Sequence, residues 1–274
     1  MKSRAAPVAA QSGPRGLARK DTLPFDADQV HLRPFIHETR SSRSLHFSLV
    51  ETQSSMNLAQ PDFLDFEYTR IMMGFLLFHA RPLKIGMIGL GGGSLAKFCH
   101  RHLPDAHVTV VEINPHVIAL RDDFAVPPDG PRFEVVRADG ARFVKTARDA
   151  FDVLLVDGYD YDGMPAQLAS AEFYGDCVAC LGSAGVLVAN VHADHADLPA
   201  LRDRVGDAFR NPALFVKGRA QGNAVVFARQ GASLEAESSI VPSRPPDLDL
   251  GQWQLLQSAF SLVRCAIVRQ QGGR

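Results

Sequence analysis

The sequence predicts a doubly wound α/β fold: a mostly parallel seven-stranded sheet with helices on both faces, preceded by a small β region. Three observations predict it. Between residues 84 and 191, short apolar β-rich runs alternate with segments of helical spacing, and that alternation builds parallel strands covered by helices. The first run, Lys84-Ile85-Gly86-Met87-Ile88, breaks into Gly89-Leu90-Gly91-Gly92-Gly93 before a helix, a tight turn that exposes bare backbone amides. Further on, the runs Ala213 to Lys217 and Ala224 to Ala228 are joined only by Gly218-Arg219-Ala220-Gln221-Gly222-Asn223. A parallel crossover needs more chain than that, so the pair is antiparallel.

In chain order, residues 1–29 are expected to form a disordered tail. There Lys2, Arg4, Arg15, Arg19 and Lys20 are scattered among Ala, Pro, Gly and Ser, without the apolar stretch of a signal peptide. Residues 30–66 hold one or two hairpins, because Arg43 to Val50 alternates and is β-rich. The third unit, 67–230, is the nucleoside-binding domain, reached through a helix over Phe66 to Phe78. It then runs strand 84–89, helix 93–102, strand 107–112, helix 115–123, strand 132–136, helix 141–147, strand 151–156, helix 168–181, strand 185–191, helix 197–208 and the final hairpin. Residues 231–250 read as a linker rich in Ser, Pro and acids. Over 251–274, apolar positions from Trp253 to Val268 recur at helical spacing, so a docked amphipathic helix ends the chain.

With 274 residues, 46% of them apolar, the chain can bury the core of an enzyme-sized domain. A formal net charge of −1 attracts neither nucleic acid nor an anionic membrane surface, and no run of about 18 or more apolar residues occurs. The four cysteines read as free thiols of a reducing cytoplasm. Cys177 and Cys180 have the gap of a zinc or redox pair, but they lie in a helical pattern with no second pair, so they read as core residues. His192, Asp194 and His195 read as loop residues at the cleft edge, and no metal site is expected.

The chemistry gathers at strand ends. Glu112 closes the second parallel strand 23 residues beyond Gly89, where a carboxylate can hold the two hydroxyls of a ribose. Nicotinamide dinucleotide folds want a third glycine where Ser94 stands, whereas S-adenosyl-methionine folds use a looser turn and finish in an antiparallel hairpin. The hairpin therefore favours S-adenosyl-methionine or a relative. Asp139, in Asp139-Gly140 after the third strand, is placed to accept from an adenine amino group or to cap the following helix. The fourth strand ends in Asp157-Gly158-Tyr159-Asp160-Tyr161-Asp162-Gly163, an acidic rim that suits a cationic substrate and can take the proton of an attacking amine. A calcium loop is rejected, because that register puts Gly158 at the first ligand position and Ala169 at the bidentate one. Tyr174 is a further candidate for the amine pocket.

On these residues the chain resembles the spermidine synthase family of polyamine aminopropyltransferases, and more closely its divergent bacterial members, over roughly residues 45–230. The resemblance matches the glycine turn to Gly89, Gly91, Gly93 and Ser94, the ribose acid to Glu112, the adenine pair to Asp139 and Gly140, and the D-x-x-D motif to Asp157 and Asp160. It further matches Gln53 to a nucleoside-contacting glutamine, and His79 and Pro82 to a pair preceding the first strand. It implies that Asp157 deprotonates or orients the acceptor amine and that Asp160 assists in binding it. S-adenosyl-methionine or its decarboxylated form is then a co-substrate, with no tightly bound cofactor, and a homodimer is a further expectation. Two positions depart from the family. The aspartate that pairs with the donor's aminopropyl ammonium falls on Gly92, and the proline after the second motif aspartate is Tyr161. Aminopropyl transfer to a polyamine or related amine is the leading expectation; methyl transfer and nucleoside binding without turnover are the alternatives.

Overall fold

The computed structural model describes residues 31–49, 52–158, 164–193, 197–220, 222–231, 233–234 and 241–272. Tyr159, Asp160, Tyr161, Asp162, Gly163, Asp194 and His195, with the expected tail, lie outside the described residues. A three-stranded antiparallel sheet comes first, from β1 (Phe35–Glu38), β2 (Ser42–His46) and β3 (Thr52–Asn57). The β1 to β2 turn is tied by the Ser42 amide donating to Thr39 Oγ1 at 3.0 Å. Helix α1 (Glu67–Met72) follows and tightens into a 3-10 turn over Met73–Leu77. Every residue of that turn is buried.

Seven strands make the main sheet: β4 (Lys84–Ile88), β5 (His107–Glu112), β6 (Phe133–Arg137), β7 (Phe151–Val156), β8 (Leu181–His192), β9 (Leu214–Lys217) and β10 (Asn223–Arg229). Their order is β6-β5-β4-β7-β8-β10-β9. The first five strands of that order pair in parallel, and β10 lies antiparallel between β8 and β9. The sheet is thus the expected one, finished by the expected hairpin.

Why the strands read as continuous apolar runs is visible in the two cores. Ile85 and Met87, Val108 and Val110, and Val153 and Leu155 face one core, while Ile88, Val111, Leu154 and Val156 face the other. Side chains alternate across a strand, so a sheet covered on both faces needs apolar residues at every position. The first face is covered by α1, α2 (Ser94–His102) and α7 (Leu250–Gly272); the second by α4 (Gly140–Thr146), α5 (Ala171–Cys180) and α6 (Leu198–Phe209). Asp249 Oδ1 caps α7 by accepting from the Gly251 and Gln252 amides at 2.8 and 3.2 Å.

Three elements differ from expectation. The helix expected over 115–123 is a single turn, α3 (Pro115–Ile118). Beyond it the chain unwinds through turns to Ala125 at φ 51°, because Phe124 is drawn into the core and its carbonyl accepts from the buried Lys97 ammonium at 2.8 Å. The helix expected over 168–181 splits at Ser170, whose hydroxyl accepts from the Phe173 amide at 3.1 Å and starts α5 afresh. Finally, β8 begins at Leu181, directly where α5 ends. Cys177 and Cys180 lie in the α5 core; burial pushes the first thiol well above its ordinary value and the second up to about 12. Among the described residues, no helix is long and apolar enough to cross a membrane.

Candidate active site

The carboxyl ends of β4 through β8 open into one cavity of about 880 Å3. The rim is held together by ladder bonds that continue past the strands. The Gly89 amide donates to the Val111 carbonyl at 2.8 Å, and the Asp157 amide donates to the Ile88 carbonyl at 2.8 Å. Gly89 has φ 94°, and a Cβ there would strike the Asp157 carbonyl, so the close approach of the chain just past β4 to the chain just past β7 requires glycine.

Glu112 hangs from the end of β5 beneath the glycine turn. Its Oε2 accepts from the Leu90 amide and its Oε1 from the Asn114 amide, both at 2.8 Å. Burial pushes its carboxyl above the usual range, and the amides of Asn114, Leu90, Ile113 and Gly91 pull it back. Glu112 also lines the cavity, where its carboxylate can meet hydroxyls of a ligand. Asp139 caps α4, accepting from the Arg142 amide at 3.0 Å through Oδ1, and it also lines the cavity with Gly140. Across the rim, Asp157 is held from two sides. Tyr68 Oη donates to its Oδ2 at 3.1 Å and Asn190 Nδ2 donates to its Oδ1 at 2.8 Å. Burial raises the Asp157 carboxyl despite these two bonds, which lower it.

A family model described as the spermine/spermidine synthase domain matches residues 65–211. A polyamine aminopropyltransferase of Neisseria meningitidis serogroup A is 40% identical over 202 residues, covering 73% of this chain and 77% of the relative. The chain belongs to the spermine/spermidine synthase family. Another relative, the polyamine aminopropyltransferase of Chromobacterium violaceum, is 41% identical over 201 residues with the same coverage. Two solved structures agree in fold with this family member. A probable spermidine synthase from Corynebacterium glutamicum superposes with a TM-score of 0.62 at 21% identity, covering 84% of this chain and 91% of that one. A spermidine synthase in complex with the transition state analogue AdoDATO gives 0.57 at 18%, covering 86% and 88%.

Within this spermine/spermidine synthase relative, Gln53, Gly89, Gly91, Glu112, Asp139, Gly140 and Asp157 all line the one cavity. Gly93 does not. It opens α2 at φ 69°, and a Cβ there would lie 2.5 Å from Val126 Cγ2, so its place is in the packing behind the turn. Tyr174 is likewise absent from the wall: it is 1% exposed in the core beneath β7 and β8, because α5 turns that face inward. Gly92 packs where a Cβ would lie 2.6 Å from Ser54 Oγ and 2.9 Å from the Phe124 ring, so a larger residue there would have to displace β3 or the unwound segment.

Glu67, Tyr68 and Asn190 are among the wall residues that the sequence did not single out. Asn190 did leave a signal, a lone amide in the apolar run Gly185 to Val191. Tyr68 left none, since an aromatic at the start of an apolar helix reads as core.

Proposed function

We propose that the protein transfers an aminopropyl group from decarboxylated S-adenosyl-methionine to a polyamine or a related amine. The observation that carries this reading is the charge of the cavity wall. Among the described residues it bears Glu67, Glu112, Asp139 and Asp157 and no lysine or arginine. Such a wall favours a donor without a carboxylate and an acceptor bearing ammonium groups. In this reading Glu112 takes the ribose hydroxyls, Asp139 and Gly140 border the adenine, and the Gly89 to Gly91 turn runs under the donor's arm. The acceptor nitrogen attacks the carbon bonded to the sulfonium. A nitrogen–carbon bond forms, the carbon–sulfur bond breaks, and methylthioadenosine leaves with the electron pair. The proton from nitrogen passes to Asp157, whose raised basicity suits that role.

One observation weighs against aminopropyl transfer and keeps methyl transfer as the second reading: at Gly92 no carboxylate awaits the aminopropyl ammonium, and Ser54 packs against that glycine. Calorimetric titration separates the two. Decarboxylated S-adenosyl-methionine should bind more tightly than S-adenosyl-methionine, and Glu112→Gln should weaken it by about tenfold or more, the worth of a hydrogen bond to a charged group. Binding of the carboxylated donor alone would support methyl transfer.

A further inference from the structure

Lys97 stands on α2, yet its side chain is buried, 4% exposed, and its ammonium makes one hydrogen bond among the described residues, to the Phe124 carbonyl at 2.8 Å. Burial pulls that ammonium down to about 8, and the field of Asp62 offsets only part of the shift. A charge in the core without a carboxylate in contact costs stability, and an apolar side chain of the same length would avoid that cost. What the charge holds is the segment that unwinds after α3. The amides of Phe124, Ala125 and Val126 bond back to the carbonyls of Leu120, Asp122 and Arg121. The carbonyls of Asp123 and Phe124 are met instead by cations from two distant elements, Arg43 Nη1 of β2 and Lys97 Nζ of α2. Held this way, residues 124–126 press on the glycine turn. A Cβ on Gly92 would lie 2.9 Å from the Phe124 ring, and one on Gly93 2.5 Å from Val126 Cγ2, so both side chains rest on bare backbone. The Lys97 amide closes the loop by donating to the Gly93 carbonyl at 2.8 Å. Farther along, the same turn is fixed by Glu112 through the Leu90 amide, and Gly91 lines the cavity.

We propose that Lys97 is a positioning residue for the donor: its bond to the Phe124 carbonyl keeps residues 124–126 against Gly92 and Gly93, and so holds the turn in the shape that receives the donor. Lys97 is not part of the cavity wall and acts only through this packing. Its role rests on the reading of the turn as the donor's seat. A buried ammonium is retained there because an apolar residue could fill the space but could not hold the carbonyl.

The test is calorimetric titration of methylthioadenosine into the full chain, with thermal melting of each variant alongside. Lys97→Met keeps the length of the side chain but removes both the buried charge and the donor. Its melting temperature should stay near wild type, while methylthioadenosine affinity falls by about fivefold or more, the worth of one hydrogen bond to a charged group. Lys97→Arg returns a charged donor and should recover most of that affinity. Val126→Ala leaves the Lys97 bond in place and removes the methyl groups behind Gly93, so it should weaken binding by an independent route. Ile267→Ala opens the same core from α7 and should lower the melting temperature without changing affinity. Wild-type affinity in Lys97→Met or in Val126→Ala, no recovery in Lys97→Arg, or an equal loss in Ile267→Ala overturns the positioning role and leaves the donor reading intact. Wild type that does not bind methylthioadenosine overturns both.

Discussion

Asp157→Asn should turn over at about one hundredth of the wild-type rate or less, the ordinary worth of a general base. The amide keeps the shape, and its oxygen can still accept from Tyr68 or Asn190, so donor affinity and melting temperature should stay near wild type. If Asp157 only formed the turn at the end of β7, the same change would lower the melting temperature and weaken donor binding with little specific effect on rate. The wild-type pH profile carries a second check. Burial raises this carboxyl above its ordinary range. Turnover needs the ionised base, so activity should fall as pH drops through a value above that range. Stability should move the other way. The native state holds this proton more tightly than the unfolded chain does, so the contribution is full below the unfolded value and is lost as pH rises through the native one. Tyr68→Phe removes a bond that lowers the value, so it should shift the acid limb of the rate profile upward.

Gly89→Ala is expected to be the most damaging change in the glycine turn. Its Cβ meets the backbone carbonyl of Asp157, just past β7, which cannot rotate away as a side chain could, and φ 94° is itself strained for alanine. The ladder bonds from Gly89 to Val111 and from Asp157 to Ile88 would have to give together. A loss of about 3 kcal/mol or more in urea unfolding is expected, with donor binding lost as well. Gly91→Ala is the control. Its φ is 51°, within the small left-handed region, and the nearest atom to an added Cβ is Ser54 Cβ at 3.8 Å, so about 1 kcal/mol is expected.

These two residues also show how far the sequence could be read. Gly89 announces itself because a strand that breaks into glycine has a local cause, and β5 and β7 were readable to the residue because their apolar runs end in acids at Glu112 and Asp157. The terminal hairpin followed from a connection too short to cross over. What escaped was set by partners distant in sequence. Tyr68 lies 89 residues from the carboxylate it holds, and neither periodicity nor composition records that meeting. Helix 115–123 failed for the same reason, since the unwinding near Phe124 is held by Lys97 and by packing against Gly92, contacts made only after the sheet forms. Tyr174 and Gly93 carried the right residue types, but α5 and α2 turn them away from the cavity.

The identity of the group transferred decides between aminopropyl and methyl transfer. Mass spectrometry of products from putrescine, incubated separately with decarboxylated S-adenosyl-methionine and with S-adenosyl-methionine, reads it directly. The acidic wall and Asp157 predict an aminopropylated diamine together with methylthioadenosine, formed only with the decarboxylated donor. A methylated diamine formed with S-adenosyl-methionine, or no product from either donor, would contradict it.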